Sequence, residues 1–318
     1  MSKSDSAYLI GIDSGGSKTE ILVADLDGKI LKRIENQSGV SANDLGLAAF
    51  GLRESLRISL ENLPEAPIAV MVYGLAGLDT KKEEATSRPV FVEVLNTWEV
   101  KNFVLVNDAV LALANGTTNS NAIVLIGGTG SNCLGHNDQG QTAKAGGLNF
   151  ALSDDGSGFD AGRLALKATV KDIDGRGPHT ALTRLVFEQL QVKNFSQLKA
   201  QIYHPLINKK EIASLAPLVV KAYRDGDAVA TGIINYCIDR LVEHVVAVAT
   251  RLQLTNKPFD LILAGSFILN LVPEFTPVLE KHRPQAKIVS KDLAPVYGAI
   301  KLAKRLYDGD KIDSLLID

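Results

Sequence analysis

The sequence lacks the features that mark disulfide-rich, zinc-binding and membrane-spanning proteins. Its 318 residues include only two cysteines, Cys133 and Cys237, too few and too far apart for a disulfide framework or a zinc site. The five histidines show no H-E-x-x-H spacing. No run approaches the ~20 apolar residues that a membrane span needs, and the N-terminal MSKSDSAY lacks the apolar stretch of a signal peptide. We therefore expect a cytoplasmic protein with no membrane partner.

An excess of charge of one sign is missing as well. The 34 Lys and Arg residues nearly balance the 36 Asp and Glu residues, which leaves a formal net charge of −2. Nucleic-acid-binding domains usually carry a basic surface, so this balance argues against a nucleic-acid partner. With 46% hydrophobic and 22% charged residues, the composition is that of an ordinary globular protein. At about 150 residues per domain, the length predicts two domains.

A glycine-rich stretch at residues 11–20, GIDSGGSKTE, matches neither of the common phosphate-binding templates. Gly11 and Gly16 have the spacing of a Walker A loop, but Ser17 precedes Lys18, which puts the lysine out of register. The dinucleotide fingerprint G-x-G-x-x-G is absent too. The stretch is therefore a different kind of glycine loop, and it carries an aspartate.

The segments around this loop predict antiparallel strands. Short β-rich runs lie at residues 8–13 and 19–26, and Asp27 and Gly28 predict a hairpin turn to a third strand. The order then continues with alternating helices and strands. The same plan begins again at residues 121–126, where a strand leads into a second glycine turn, GGTGSN. Two such turns, facing each other across a cleft, would make a clamp for a triphosphate.

Further segments complete the prediction. Helices are expected near 44–61, 81–98, 108–115, 227–252 and 295–307, and strands at 67–74, 103–107, 259–265 and 287–290. The region after residue 155 is mostly helical, and the segment 116–120 is the expected boundary between two lobes.

Several carboxylates could carry chemistry. Asp13 ends the first strand, where a carboxylate can hold hydrated Mg²⁺, although shaping a turn is an equally good interpretation. Asn107 and Asp108 lie where a strand meets a helix; an N-cap is favoured over a general base at the carboxyl end of a strand. Asp154 lies in SDDGSG, which has more acidic groups than a helix cap needs. Lys18 either contacts phosphate or, as we favour, points to solvent.

Taken together, these residues resemble the actin, sugar kinase and Hsp70 superfamily. The ordered motifs GIDSGGSKTE, VNDAVLALANG, IGGTGSN, SDDGSG and LAGSF, over about residues 8–307, are similar to the BadF/BadG/BcrA/BcrD-type group, which includes N-acetylglucosamine and glucosamine kinases. The resemblance implies an α/β, two-lobed actin-like ATPase (ribonuclease H-like) fold, each lobe a mixed β-sheet flanked by helices, with ATP in the interlobe cleft. The N-terminal lobe would span 1–117 and the C-terminal lobe 118–318, with the last helix, about 295–307, packing back on the N-terminal lobe.

The resemblance also implies site residues. Asp13 matches a Mg²⁺-associated carboxylate, and Asp108 matches the catalytic carboxylate that faces the sugar hydroxyl. ATP and its phosphates would be bound by Gly15, Gly16, Ser17, Lys18, Thr129, Gly130, Gly265 and Ser266. The sugar would be bound by Asn43, Gly77, Asp108, Ser131, Asn132, Gly147 and Asp154. An ordinary Asp pKa of about 3.9 would leave Asp108 ionised at pH 7. A homodimer is also implied.

The implied function is ATP-dependent transfer of the γ-phosphate to the 6-hydroxyl of N-acetylglucosamine, with Mg²⁺ as cofactor. The substrate signals disagree: Leu148 and Asn149 replace the Trp-Gly that often follows Gly-Gly in N-acetylglucosamine kinases, and SDDGSG is closer to glucosamine kinases, yet Asn132 follows the acetylated-sugar kinases. A glucosamine kinase or a broader hexokinase therefore stays open. Rivals of other classes are a non-catalytic sensor and an ATP-driven iron–sulfur activator of a radical dehydratase or reductase, which would use cysteines.

Overall fold

The computed structural model describes residues 7–15, 18–36, 44–203, 207–283, 285–289 and 294–310. These residues form two five-stranded sheets with flanking helices, as the resemblance implies. The chain divides into two compact units. Unit 1 consists of Met1–Val124, Leu134–Lys144 and Val289–Asp318, and unit 2 consists of Leu125–Cys133 and Ala145–Ile288. The division into lobes at residues 117 and 118 stays a prediction.

The order of elements is strands, then alternating helices and strands, then a long helical region. The strands are β1 (Tyr8–Ser14), β2 (Thr19–Ala24), β3 (Ile30–Asn36), β4 (Ile68–Leu75), β5 (Phe103–Asn107), β6 (Ala122–Gly127), β7 (Ser131–His136), β8 (Thr142–Gly146), β9 (Phe259–Ala264) and β10 (Ala286–Ile288). The helices are α1 (Leu45–Leu60), α2 (Lys81–Leu95), α3 (Asp108–Gly116), α4 (Gly158–Ile173), α5 (Ala181–Leu190), α6 (Phe195–Tyr203), α7 (Lys209–Ala213), α8 (Ala216–Arg224), α9 (Ala228–Arg251), α10 (Ser266–Leu269), α11 (Val272–His282) and α12 (Val296–Tyr307). The predicted order of elements is confirmed, and the largest boundary error is in α2, which ends at Leu95 rather than near 98.

The first sheet has the strand order β3-β2-β1-β4-β5. Strand β1 pairs antiparallel with β2 and parallel with β4, and β5 extends the parallel part. The predicted hairpin between β2 and β3 is confirmed, and Gly28 supplies the positive φ of 85° in its turn. All eight residues of β4 are buried, as expected for a central strand covered on both faces.

Alternation along the strands sends side chains to two faces of this sheet. On one face, Ile10 and Tyr73 join a core with helices α1 and α2, where the Tyr73 and Phe91 rings meet edge to face with centroids 5.2 Å apart. On the other face, helices α3 and α12 approach so closely that glycine is needed. A Cβ on Gly11 would lie 2.8 Å from the Ala299 Cβ of α12. Helix α12 thus packs against β1 and β4 of the first sheet and against α3.

The second sheet has the strand order β10-β9-β6-β7-β8, with β9 and β10 parallel. Helices α4, α5, α8 and α9 pack on one another in unit 2. The longest of the helices in the described ranges, α9, has 24 residues, and its buried stripe includes Ile234, Cys237 and Leu241. In the part of the chain that the structure describes, no helix is long and apolar enough to cross a membrane.

Candidate active site

The carboxyl ends of three neighbouring strands in unit 1 bring two predicted site residues to one edge of the sheet. The register pairs Asp13 of β1 with Gly74 of β4, and Leu75 of β4 with Asn107 of β5. Asp13 and Asp108 therefore lie at the same edge with β4 between them. Since adjacent strands are about 4.8 Å apart, their backbones are separated by roughly 10 Å.

The Asp13 carboxylate lies in an acidic environment. Its cross-strand partner in β2 is Glu20, a fully buried residue. Burial raises the pKa of Asp13 to about 8; the charges of Asp108 and Glu20 raise the pKa as well, and that of Lys18 lowers it. A divalent cation would offset this accumulated negative charge, and carboxylate oxygen is a ligand that Mg²⁺ prefers. The residues present therefore fit a magnesium ion at Asp13.

The first glycine turn follows Asp13 directly. The Gly15 N–H donates to the Lys18 carbonyl at 3.0 Å, which closes the turn. The Lys18 Nζ lies 3.1 Å from Glu20 Oε2 and 3.3 Å from Glu35 Oε1. Lys18 is thus engaged by two carboxylates on β2 and β3, and its side chain is 46% exposed. The same Glu20 also accepts a hydrogen bond of 2.6 Å from Arg33 Nη2.

Helix α3 begins at Asp108, but its capping residue is Asn107. The Asn107 Oδ1 accepts the Ala109 N–H at 3.0 Å, and Asn107 has the extended backbone of an N-cap. The N-cap interpretation of Asp108 is therefore wrong, because the preceding residue occupies that position. Asp108 is the first residue of helix α3 and directly follows the end of β5.

The Asp108 carboxyl does not keep its ordinary pKa. Burial raises the pKa of Asp108 to about 6, and the charge of Asp79 raises it as well. The N–H groups of Ala109 and of Asp108 itself, together with the Lys144 ammonium, act in the opposite direction. The expectation of an unperturbed pKa is corrected, although a group with a pKa near 6 is still mostly ionised at pH 7.

Asp79 and Lys144 are site residues that the sequence did not reveal. Asp79 follows β4, and its Oδ1 accepts a hydrogen bond of 3.0 Å from Asn107 Nδ2. The same Oδ1 forms an ion pair with the Nζ of Lys144 in β8. The two side chains are 11% and 4% exposed. Charged side chains are rarely buried unless they are paired. The sequence shows Lys144 only as a single lysine in a short strand, and it does not reveal that Asp79 is the partner.

In unit 2, the second glycine turn is held in place by helix α4. The Gly128 N–H donates to the Gly130 carbonyl at 3.0 Å. The N–H groups of Gly158 and Phe159, at the start of α4, donate to the carbonyls of Gly128 at 2.8 Å and Thr129 at 3.1 Å. These carbonyls are therefore turned towards α4.

Asp154 lies directly against this turn. Its Oδ1 accepts the Ser131 N–H at 3.1 Å, and its Oδ2 lies 2.6 Å from Lys209 Nζ. A Cβ on Gly130 would lie 2.7 Å from Asp154 Oδ1, so a larger residue there would displace the Asp154 carboxylate. Helix α4 is capped by Ser157 instead, whose Oγ accepts the Asp160 N–H at 3.2 Å. Asp154 is thus not used as a helix cap.

The turn at Gly265 touches the second glycine turn. Gly265 has a φ of 93°, and a Cβ there would lie 2.7 Å from the Gly127 carbonyl and the Gly128 nitrogen. Beside both turns is a cavity of about 530 Å³, within the range of small-molecule sites. Its lining includes Gly128, Thr129, Pro217, Ser266, Phe267 and Asn270.

The segment of Gly147, Leu148 and Asn149 packs beside the second glycine turn. The Gly147 N–H donates to the Ser131 carbonyl at 3.0 Å. The Leu148 N–H donates to Ser153 Oγ at 2.6 Å, while the Leu148 side chain is 42% exposed. Ser131, Gly147 and Asp154 are therefore neighbours in unit 2.

A family model matches residues 10–303, nearly the whole chain, and its family is the BadF/BadG/BcrA/BcrD ATPase family. The chain belongs to this family. The match covers the segments that hold both glycine turns and both site carboxylates.

Two curated relatives align with this chain over most of their length. One is the N-acetylmuramic acid/N-acetylglucosamine kinase of Clostridium acetobutylicum, 33% identical over 303 residues, which cover 93% of this chain and 98% of the relative. The other is the N-acetyl-D-glucosamine kinase of Dictyostelium discoideum, 30% identical over 311 residues, which cover 92% of this chain and 97% of the relative.

Solved structures support the fold. A candidate N-acetylglucosamine kinase from Chromobacterium violaceum superimposes with a TM-score of 0.77 at 23% identity, over 93% of this chain and 99% of that one. A ROK family glucokinase from Streptomyces griseus, in complex with glucose and AMPPNP, has a TM-score of 0.54 at 17% identity, over 94% and 99% of the two chains. The two-lobed actin-like ATPase architecture is thereby confirmed.

The predicted site residues form two groups, one in each unit. In unit 1 the structure places near one sheet edge Asp13, Gly15, Lys18, Gly77 and Asp108. In unit 2 it places around the second glycine turn Thr129, Gly130, Ser131, Asn132, Gly147, Asp154, Gly265 and Ser266. Three further predictions, Gly16, Ser17 and Asn43, lie outside the described residues. The binding roles of all these residues stay predictions.

The iron–sulfur alternative is not favoured. Cys133 and Cys237 are free thiols with no exposed surface, and burial raises their pKa well above the usual value. Buried thiols with raised pKa values are poor thiolate ligands. Across the described ranges, no group of three or more His, Cys, Asp or Glu residues could hold a metal ion.

Proposed function

We propose that this chain is an ATP-dependent amino-sugar kinase that transfers the γ-phosphate of ATP to the 6-hydroxyl of N-acetylglucosamine. The observation that carries the proposal is the position of Asp108, which directly follows β5 at the same sheet edge as Asp13 and whose carboxyl pKa is raised by burial. The names of the two curated relatives, one an N-acetylmuramic acid/N-acetylglucosamine kinase and the other an N-acetyl-D-glucosamine kinase, support the choice of acceptor.

Asp108 acts as the general base. Phosphoryl transfer has a loose transition state, so the acceptor hydroxyl must mainly be oriented and relieved of its proton late in the reaction. With a pKa of about 6, the Asp108 carboxylate is ionised at pH 7 and accepts that proton at a carboxylate oxygen. Its place in the first turn of α3 fixes the direction of the side chain.

Asp13, at the end of β1, would hold a hydrated magnesium ion. Bound Mg²⁺ supplies charge neutralisation for the phosphate oxygens. The first turn contributes the backbone of Gly15, and we include Gly16 and Ser17 in the phosphate contacts. Lys18 contacts phosphate only after exchanging its contacts with Glu20 and Glu35 for that anion.

Unit 2 binds the nucleotide and part of the sugar. Thr129 and Gly130 offer backbone to the phosphates, and the adjoining cavity beside Ser266 has the volume for adenosine. On the other side of the turn, Ser131 and Asp154 are held together by a hydrogen bond and face the Gly147 segment. We assign this side, with Asn132, to the sugar.

A glucosamine kinase or a broader hexokinase is the second candidate. Leu148 and Asn149 stand where acetylated-sugar kinases often have Trp and Gly, and the half-exposed Leu148 alters the surface beside Ser131. A homodimer and a cytoplasmic location are also part of the proposal. Sedimentation of the purified protein tests the dimer.

The experiment is ADP release by purified protein with Mg²⁺-ATP. The acceptors are N-acetylglucosamine, glucosamine, N-acetylmuramic acid, glucose and no sugar, and Asp108→Asn is assayed in parallel. Turnover with N-acetylglucosamine that falls about 10²-fold or more in the variant supports the proposal. Preference for another sugar selects the second candidate, and a lack of sugar-stimulated ADP release refutes both.

A further inference from the structure

The buried pair of Asp79 and Lys144 has no part in the mechanism above. Both side chains are mostly buried, and they form an ion pair next to Asn107, the residue before Asp108. A buried ion pair contributes little net stability, because the desolvation of two charges offsets their attraction. A pair in this position therefore calls for a role other than stability.

We propose that Asp79 and Lys144 form a positioning pair for the Asp108 carboxylate. This inference rests on the proposed function, since Asp108 is the base of the proposed kinase. Lys144 holds Asp79, and Asp79 in turn holds the residue that precedes the base.

The link between the pair and the base is Asn107. Its Nδ2 donates to Asp79 Oδ1 at 3.0 Å and to the Leu78 carbonyl at 3.0 Å. Its Oδ1 caps α3 through the Ala109 N–H at 3.0 Å. Both ends of the amide are therefore occupied, and the amide fixes the first turn of the helix relative to the loop after β4. A shift of Asp79 would be passed to Asp108 through this amide.

The pair also sets the charge around the base. The charged groups that face Asp108 are Asp13 from β1, Asp79 from the loop after β4 and Lys144 from β8. Asp79 itself is held from helix α2, where Glu83 Oε2 accepts its N–H at 2.8 Å. The Asp79 carboxylate and the Lys144 ammonium act on the Asp108 pKa in opposite directions. Removing one of the two charges should therefore shift the Asp108 pKa, and the direction of the shift depends on which charge is lost.

The test compares Lys144→Met, Lys144→Arg, Asp79→Asn and the double variant Asp79→Asn/Lys144→Met. We expect Lys144→Met to lower kcat roughly 10- to 100-fold, because a misplaced base is inefficient, with KM for ATP within about twofold. Lys144→Arg should recover most of the loss. The acid limb of the profile of kcat/KM against pH should move up by about one pH unit in Lys144→Met and down in Asp79→Asn.

A second readout does not depend on activity. The ¹³C shift of the Asp108 carboxyl is followed against pH in magnesium-free protein, with Asp108→Asn to assign the signal. The titration midpoint should rise in Lys144→Met and fall in Asp79→Asn, even if the wild-type protein proves inactive on every sugar. Inactivity would refute the proposed function, whereas opposite midpoint shifts would still establish the pair's effect on Asp108.

The control is Arg57→Met, which breaks an ion pair of 3.1 Å to Glu54 within helix α1 of unit 1. It should leave kcat and both pH profiles unchanged. If Lys144→Met does not fold, Asp79→Asn and Lys144→Arg carry the test. The inference is overturned if the midpoints of the variants coincide with that of the wild type, or if Lys144→Arg is as impaired as Lys144→Met.

Discussion

Asp154 and Ser131 are joined by a hydrogen bond of 3.1 Å from the Ser131 backbone N–H to the Asp154 carboxylate. The other carboxylate oxygen lies 2.6 Å from Lys209 Nζ. One side chain therefore ties the exit of the second glycine turn to helix α7.

Substitutions at Asp154 should separate its two contacts. Asp154→Asn keeps an acceptor for the Ser131 N–H but loses the ion pair with Lys209, whereas Asp154→Ala loses both. We expect Asp154→Ala to raise the KM for the sugar about tenfold or more, and to lower the free energy of unfolding by about 1–3 kcal/mol. Asp154→Asn should lie between it and the wild type in urea denaturation. Equal unfolding free energies for all three proteins would contradict a structural role for the carboxylate.

The activity should depend on pH through Asp108. Because burial raises the pKa of Asp108 to about 6, the ionised base is lost as the pH falls through 6. We expect kcat/KM to fall about tenfold per pH unit below that value and to level off above pH 7. The measurement uses saturating Mg²⁺ between pH 5 and pH 9. The residual activity of Asp108→Asn should lack this limb; an identical limb in the variant would assign the titration to another group.

Asp13 should make the magnesium-free protein less stable as the pH rises. Its folded pKa, about 8, lies above the ordinary value, so the folded protein keeps a proton that the unfolded chain has already lost. The free energy of unfolding therefore falls as the pH rises from about 4 through about 8. Asp13→Asn, which cannot ionise, should be the more stable protein at pH 9 by roughly 1–4 kcal/mol.

Chemical denaturation in EDTA at pH 5 and pH 9 measures this effect of Asp13. The gain from Asp13→Asn should be much smaller at pH 5, and activity should be lost at both values. Asp27→Asn, which changes an exposed carboxylate in the β2–β3 turn, is the control and should show no such pH dependence. A variant that is no more stable than the wild type at pH 9 would contradict the raised pKa.

The contact between the two turns of unit 2 should be sensitive to a single methyl group. Gly265→Ala places a Cβ 2.7 Å from the Gly127 carbonyl, at a residue whose φ is already positive. We expect the free energy of unfolding to fall by about 2 kcal/mol or more, and the KM for ATP to rise about tenfold. The matched control is Gly226→Ala, where φ is 86° but nothing lies within 4 Å of the added Cβ.

The two alanine variants separate backbone strain from crowding. Gly226→Ala should cost only the strain of a positive φ, about 1 kcal/mol, and leave the KM for ATP unchanged. Thermal unfolding and ATP titration of both variants provide the comparison. A similar loss in both would mean that the contact of Gly265 with Gly127 is not important.

The sequence predicted the local elements well, because each has a local cause. Asp27 and Gly28, flanked by β-rich runs, are a strong local signal for a hairpin turn, and the glycine turns are short motifs. It also placed Asp13 and Asp108 at strand ends, where α/β sheets bind ligands, but their site roles came from the family resemblance and stay predictions. What it missed depends on distant pairing: Lys144 meets Asp79 across 65 residues of chain, and no local pattern marks either partner. The cap at Asn107 was missed because Asp and Asn are equally good caps.

Helix α12 covers one face of a sheet whose strands come from the first third of the chain. Its Gly298 lies so close to α3 that a Cβ would come within 1.9 Å of the Leu111 carbonyl. During synthesis, β1, β4 and α3 leave the ribosome long before this helix, and all of unit 2 is made in between. The part of this apolar face that α12 covers therefore stays exposed on the nascent chain until α12 is made. Chaperones that bind exposed apolar surface can bind it during that time. A premature stop before residue 296 would leave the part of that face under α12 permanently uncovered.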